Sequence, residues 1–310
     1  MVIKQEFTFP SSDGVHTVAA AWWRPEGPPR GVVQLVHGIS EHIGRYDSFA
    51  RFLAEHGFAV VGHDHLGHGR TARNPLEFGW FADRDGWKHV VKDVRALRER
   101  VGAEYPGLPC FLLGHSMGSF LTRTLLFRYP DAGLRAAVIC GTGWQPAPVL
   151  AAGLALCGLE KLRLGETGRS KLLANLMFGA YNRKFPDART PNDWICSDPE
   201  VVAKYTADPL CGQDATVGLT REMLRGIRMI QKPANLQRMD KALPVFFIAG
   251  RSDPVGNMGR GVEKAAAAFR AAGMQDVACK LYDGRHEILN EKNRQLVYDD
   301  VLAFYERHLD

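Results

Sequence analysis

The sequence predicts an α/β protein: a mostly parallel central sheet with helices on both faces and an inserted helical cap. Three observations carry that prediction. Short β-rich apolar runs alternate with amphipathic stretches along residues 31–144, and again from 243 to the end. This is the pattern of right-handed βαβ crossovers. The first two runs are joined instead by a Ser-Asp-Gly turn, which marks an antiparallel edge hairpin. Residues 145–239 lack β-runs and are broken by prolines from Pro146 to Pro233.

Taken in order, "EFTFPSSDG" and "HTVAAAWWRP" are the hairpin strands, and "GVVQLVHG" (31–38) is a strand closed by glycine. Residues 45–57 carry Phe49, Phe52 and Leu53 on one helical face and stop at Gly57. The strand 58–65 follows. Residues 86–104 repeat Val90, Val94, Leu97 and Val101, the stripe of an amphipathic helix. Strand 108–116, a helix ending before Pro130 and strand 134–143 complete the first block. Strand 243–250, helix 261–273, strand 276–284 and a helix over 291–309 form the second. The expected organisation is a core of 1–144 and 240–310 with a cap at 145–239.

With 310 residues, 45% of them hydrophobic, the chain can build such a core without disulfides or structural metal. Its six cysteines are scattered, with no Cys-x-x-Cys pair, which reads as a reduced set and a cytoplasmic protein. The longest apolar segment, 147–159, is too short to span a bilayer. Most of the net charge of +5 lies within 145–239, without a basic stripe, so no nucleic-acid partner is expected. Peripheral membrane contact through the cap stays open, as does the oligomeric state.

The chemistry centres on "FLLGHSMGSF", where Gly114-His115-Ser116-Met117-Gly118 spells G-x-S-x-G between a strand and a helix. A nucleophile on so sharp a turn needs room beside it, and the two glycines supply it. The turn places Ser116 at a helix N-terminus, with the Met117 N–H free for a developing oxyanion. A serine hydroxyl needs a base. Asp253, past the run 243–250, and His286, past the last run, follow in the order acid then histidine. Asp283 is a rival acid and His308 a remote histidine. "HGISEH" (37–42) offers the second oxyanion amide, Ile39 N–H, with Gly38 turning the backbone in and His37 in a structural role. In the cap, Leu150, Leu154 and Leu156 are the candidate acyl-chain contacts, in an apolar run followed by Lys161 and Arg163.

The stretches "HGISEHIGRYDSFARFLAEHGFAVVGHDHLGHGRT", "GHSMGS", "AGRSDPVG", "DGRHEILNE" and "DWICSDPEVVAKYTADPLCG" resemble the monoacylglycerol lipase/lysophospholipase branch of the α/β-hydrolase superfamily, over nearly the whole chain. The resemblance implies Ser116, His286 and Asp253 as a triad, Ile39 and Met117 as oxyanion amides, no cofactor, and a small-molecule acyl ester as substrate. The chain is least like the branch at 145–185, where such enzymes choose substrates. A short-chain soluble carboxylesterase or thioesterase, a haloperoxidase or C–C hydrolase, and a non-catalytic binding protein remain as alternatives.

One further cluster needs an account. "HDHLGH" puts His63, Asp64, His65 and His68 at spacings that suit a metal-dependent hydrolase. Gly67 and Gly69 bracket His68 and suggest a tight loop beside the elbow. The favoured reading is hydrogen-bonded support for the pocket floor, with no metal assigned.

Overall fold

A computed structural model describes all 310 residues. Eight strands form one sheet in the order β1-β2-β4-β3-β5-β6-β7-β8. β1 (Ile3–Pro10) and β2 (Thr17–Arg24) make the expected hairpin, and β2 pairs antiparallel with β4 (Phe58–His63). β3 (Gly31–Val36), β5 (Cys110–His115), β6 (Ala136–Cys140), β7 (Val245–Gly250) and β8 (Val277–Tyr282) run parallel with β4.

The central strands read as unbroken apolar runs because both of their faces are covered. Leu112, Ala137, Ile139 and Phe247 face α2 (Gly86–Glu104), α3 (Met117–Arg128) and α9 (Arg260–Ala271). Their neighbours Phe111, Leu113, Val138, Phe246 and Ile248 face α1 (Asp47–Glu55) and α10 (Arg294–Glu306). That alternation is the two-residue period of a strand sorting side chains between two cores.

Between β6 and β7 the chain is helical: α4 (Ala147–Leu164), α5 (Lys171–Met177), α6 (Pro199–Ala207), α7 (Val217–Ile230) and α8 (Pro233–Leu236). α7 buries Leu219, Met223, Ile227 and Ile230 in the same cluster as Phe120 and Leu121 of α3. α4 lies on α7, with Cys157 against Leu173 and Val217. Its outer face stays apolar, exposing Val149, Leu159 and Leu162, and α5 exposes Leu172 and Leu176. No helix is long and apolar enough to cross a membrane.

Candidate active site

Ser116 sits between β5 and α3 with φ 54° and ψ −120°, a left-handed backbone that a non-glycine residue adopts only under constraint. The constraint is visible. Ser116 N–H donates to Cys140 O of β6 at 3.0 Å, and Ser119 returns its N–H and hydroxyl to Ser116 O. A Cβ on Gly118 would lie 2.0 Å from Val36 O and 2.6 Å from His37 O; one on Gly114 would lie 2.4 Å from Gly118 O. The two glycines therefore let the first turn of α3 rest directly on the ends of β3 and β5.

His286 and Asp253 arrive from the loops after β8 and β7. His286 Nδ1 donates to Asp253 Oδ2 at 2.9 Å, and Asp253 Oδ1 accepts the Val255 N–H. Asp253 is fully buried. Its acceptor role fixes the tautomer, with the proton on Nδ1 and a lone pair on Nε2. Ser116 and His286 line one cavity, without a direct hydrogen bond between them; catalytic contacts of free enzymes commonly tighten only around substrate. The rival Asp283 points into solvent, 93% exposed, beside Arg251. His308 lies on the surface near Asp276.

The loop after β3 brings Ile39 to the same cavity. Gly38 N–H donates to Glu41 Oε1 at 2.6 Å, and a Cβ at Gly38 would come within 3.1 Å of Ser116 Cβ. The Ile39 and Met117 N–H groups have no partner within the chain.

The histidine cluster holds this loop in place. The His65 N–H donates to His37 Nε2, so His37 carries its proton on Nδ1 and donates to Gly38 O at 2.7 Å. His65 Nε2 donates to His37 O at 3.1 Å, so its Nδ1 accepts from His63 Nε2. His68 Nδ1 donates to Leu66 O. The tautomers of His37, His65 and His68 follow from backbone anchors, and that of His63 from His65. Asp64 points away, accepting from the Ile43 and Arg70 N–H groups. Burial pulls His63 down to about 3 and His68 to about 4, and holds His37 and His65 well below the ordinary histidine value. The rings are neutral struts. Elsewhere, His42, Asp208 and Cys211 bring ligand-type atoms within 4.8 Å of one another. His42 Nδ1 accepts from Gly44 N–H, so its Nε2 proton is committed to Asp208 at 2.9 Å.

A buried ionic network, missed in the sequence reading, surrounds the site. Glu41 accepts from Gly38 N–H, the Tyr46 hydroxyl and Arg45, and lies 3.4 Å from His115 Nδ1. Arg45 also makes a bidentate pair with Glu287, next to His286. Burial works against the Glu41 charge, but His115 and Arg45 outweigh it and hold Glu41 well below the usual carboxylate range. Burial likewise opposes protonation of His115, and Glu41 more than offsets it. The available signals were the Glu41–Arg45 spacing of four and the acid directly after His286. Trp194, also missed, sits 5.2 Å from the His286 ring and stacks on Phe178.

Two cavities meet at Ser116. One, of about 410 Å³, is lined by Gly38, Glu41, Asn175, Tyr205, Gln213, His286 and Glu287 among others. The second, of about 570 Å³, is largely apolar and runs between α3, α4, α5, α7 and the start of α9, with Phe120, Leu176, Met223 and Ile227 in its wall. Ile39, Met177, Phe178 and Trp194 border both. Of the three leucines expected to contact substrate, only Leu150 lines the apolar cavity, joined there by Val149. Leu156 packs instead with Cys157, Leu173 and Val217. Leu154 borders neither cavity. The crossing of α4 over α7, which periodicity does not encode, turns those two aside.

A nucleophile elbow on a parallel sheet, followed by an acid and a histidine on later strand ends, defines the α/β-hydrolase class. Residues 27–293 match the family described as serine aminopeptidase, S33 (Hydrolase_4). A monoacylglycerol lipase of Mycolicibacterium smegmatis is 32% identical over 99% of this chain and 98% of its own length. Human monoglyceride lipase is 27% identical over 87% of this chain and 80% of its own. The crystal structure of a thermostable carboxyl esterase from Bacillus coagulans, in complex with glycerol, is similar with a TM-score of 0.92 at 30% identity over the full length of both chains. The chain belongs to the S33 family and, within it, to the monoacylglycerol lipase branch of the α/β-hydrolase superfamily. It is a carboxylic ester hydrolase; the peptidase wording describes the family as a whole, whereas these relatives are named as lipases and an esterase.

Two measurements test the geometry. Gly118→Ala should lower stability by about 1–3 kcal/mol in urea melts, because the new Cβ meets backbone carbonyls rather than movable side chains. An unchanged midpoint would contradict the close approach. The buried histidines set a pH slope. Their folded values lie below the ordinary 6.5, so the unfolded chain takes up protons first as pH falls. Their stability contribution is complete above pH 6.5 and is lost toward pH 4, by about 1.4 kcal/mol per pH unit per ring. His63→Phe should flatten the stability–pH slope in that window by about one ring's share. An identical slope would mean the ring is not buried neutral.

Proposed function

We propose that the chain hydrolyses single-chain glycerol esters with an uncharged head group, monoacylglycerols first, through a Ser116–His286–Asp253 triad and an acyl-enzyme. The observation that carries this is the meeting of a polar and an apolar cavity at Ser116, on a strained elbow, with His286 oriented by buried Asp253. The acyl chain takes the apolar arm and the alcohol the polar arm. Neutral His286 removes the Ser116 proton as Oγ attacks the carbonyl. The Ile39 and Met117 amides hold the tetrahedral oxyanion. His286 then protonates the leaving alcohol, and water activated by the same ring releases the acid.

The polar arm favours glycerol over a phosphorylated head group, and so monoacylglycerol over lysophospholipid. It is lined by Glu41, Asp214 and Glu287 and by no lysine or arginine. The relatives' names and the glycerol of the Bacillus coagulans structure support the same choice. Core 1–144 and 240–310 with a cap at 145–239 fits the helical excursion between β6 and β7. All six cysteines are free, which supports a reducing, cytoplasmic setting.

Ser116→Ala should fold normally and lose about 10³-fold or more in kcat, and a fluorophosphonate should label Ser116 in the parent enzyme. Near-normal ester turnover by the variant would sink the assignment. A chain-length series of monoacylglycerols and p-nitrophenyl esters separates this reading from a short-chain esterase or thioesterase, which would peak at the shortest acyl groups. The apolar outer faces of α4 and α5, flanked by Lys161, Arg163 and Lys171, form a peripheral membrane contact in this reading. Leu162→Asp with Leu176→Asp should then abolish sedimentation with lipid vesicles while the protein stays folded. Sedimentation equal to that of the parent would remove the contact.

A further inference from the structure

The apolar arm has two charged residues in its wall, and both are positive. Arg260 and Lys264 stand one turn apart on α9 and line the arm beside Trp144, Gln145 and Asn257. Both side chains are exposed, and neither makes an ion pair or side-chain hydrogen bond within the chain. Lys264 Nζ lies 5.6 Å from the centre of the Trp144 ring, and the Arg123 guanidinium lies 5.9 Å from the same ring. Arg123 is buried. Its Nη1 donates to Thr142 Oγ1 and Gly143 O, while Nε and Nη2 have no partner. A buried guanidinium without a carboxylate is costly, because desolvation is not offset by an opposite charge.

Lys264 and Arg123 therefore flank one indole, Arg260 stands one turn from Lys264 in the same wall, and no acid lines that wall. The carboxylates of the site lie elsewhere: Glu41, Asp214 and Glu287 line the polar arm, and Asp253 is hydrogen-bonded to His286. A methyl-ended acyl chain gains nothing from this side of the arm. An acyl chain ending in a carboxylate would set its charge against two exposed, unpaired cations that line the arm, with the buried Arg123 guanidinium on the same indole.

We propose that the Trp144 side of the apolar arm is a subsite for an anionic group carried by the acyl chain, with Arg260 and Lys264 as its specificity-determining residues and Arg123 adding to its potential. The substrate class is an ester whose acyl group ends in a carboxylate, that is, a half-ester of a dicarboxylic acid. The proposal rests on the reading of Ser116 as nucleophile and of the apolar arm as the acyl site.

The test uses p-nitrophenyl esters in matched pairs, methyl-ended or carboxylate-ended, over a series of chain lengths. Each pair is assayed with the parent enzyme and with Arg260→Gln/Lys264→Gln. At the length that reaches Trp144, the parent should show a lower KM for the carboxylate-ended member. The double variant should shift the KM ratio of that pair by about fivefold or more toward the methyl-ended member, and added salt should shift it the same way. A ratio unmoved by the variant, or a carboxylate disfavoured at every length, overturns the subsite. So does a variant that keeps the ratio but no longer sediments with phosphatidylglycerol vesicles, which would give these cations to a lipid surface. If neither ester of any pair is hydrolysed and a fluorophosphonate leaves Ser116 unlabelled, it is the underlying reading of the site that has failed.

Discussion

Everything at the site depends on how closely α3 approaches the end of β3. Gly118 rests on the Val36 and His37 carbonyls with no space for a methyl group between them. β3 and β5 are paired in register, Val36 opposite Gly114, so this approach also fixes where β5 must stop and turn. Ser116 is left with a left-handed backbone held on both sides, by Cys140 of β6 and by Ser119 of α3. The strain is thus sustained by sheet and helix together, which is the condition under which such conformations persist. The same approach brings Ile39, Ser116 and Met117 into the wall of one cavity.

A loop cannot hold an amide at a fixed position by itself, and here buried polar groups do so. His65 grips both the ring and the carbonyl of His37, and Glu41 grips the amide of Gly38. Such groups add little net stability, because desolvation consumes most of the Coulomb gain. Their effect is positional. The network also reaches across to the helical excursion: Arg45 lies over Tyr205, Glu287 N–H donates to Ile195 O, and Arg285 donates to Asp193 O. Glu287 and Arg285 flank His286 in sequence. His286 is therefore positioned by the same residues that seat the segment covering it.

The core was readable in the sequence because its signals are local. A strand buried on both faces must be apolar throughout, as 31–36, 110–115 and 245–250 are. The helix over 86–104 shows its stripe because one face meets solvent. The sequence drew attention to Ser116, Asp253 and His286 because each lies within four residues of the end of a strand. Glu287 and Trp194 drew none, since Arg45 and His286, which they meet, lie far away in sequence; Glu41 and Arg45 show only a spacing of four, which any exposed helical pair could share. The leucines of α4 failed for another reason. That helix is apolar on nearly every side, so composition does not show which face meets α7. The packing settles it: Leu150 and Cys157, seven residues apart, are the buried pair, and Leu154 and Leu156 turn elsewhere.

The residues that border both cavities explain how one site can demand two unlike things of a substrate. Ile39, Met177, Phe178 and Trp194 form the partition at Ser116, three of them from the segment between β6 and β7. On one side of that partition lie carboxylates and amides, on the other lie aliphatic and aromatic walls. An ester bound across it must place its carbonyl where the chemistry of the wall changes, because either half in the wrong arm leaves polar groups unpaired or apolar surface wet. On the proposed reading, selectivity for the scissile bond follows from the partition itself. A single movement of Trp194 and Phe178, which stack on each other, would alter both arms and the cover of His286 together. The shapes of the two cavities are therefore coupled through one pair of rings.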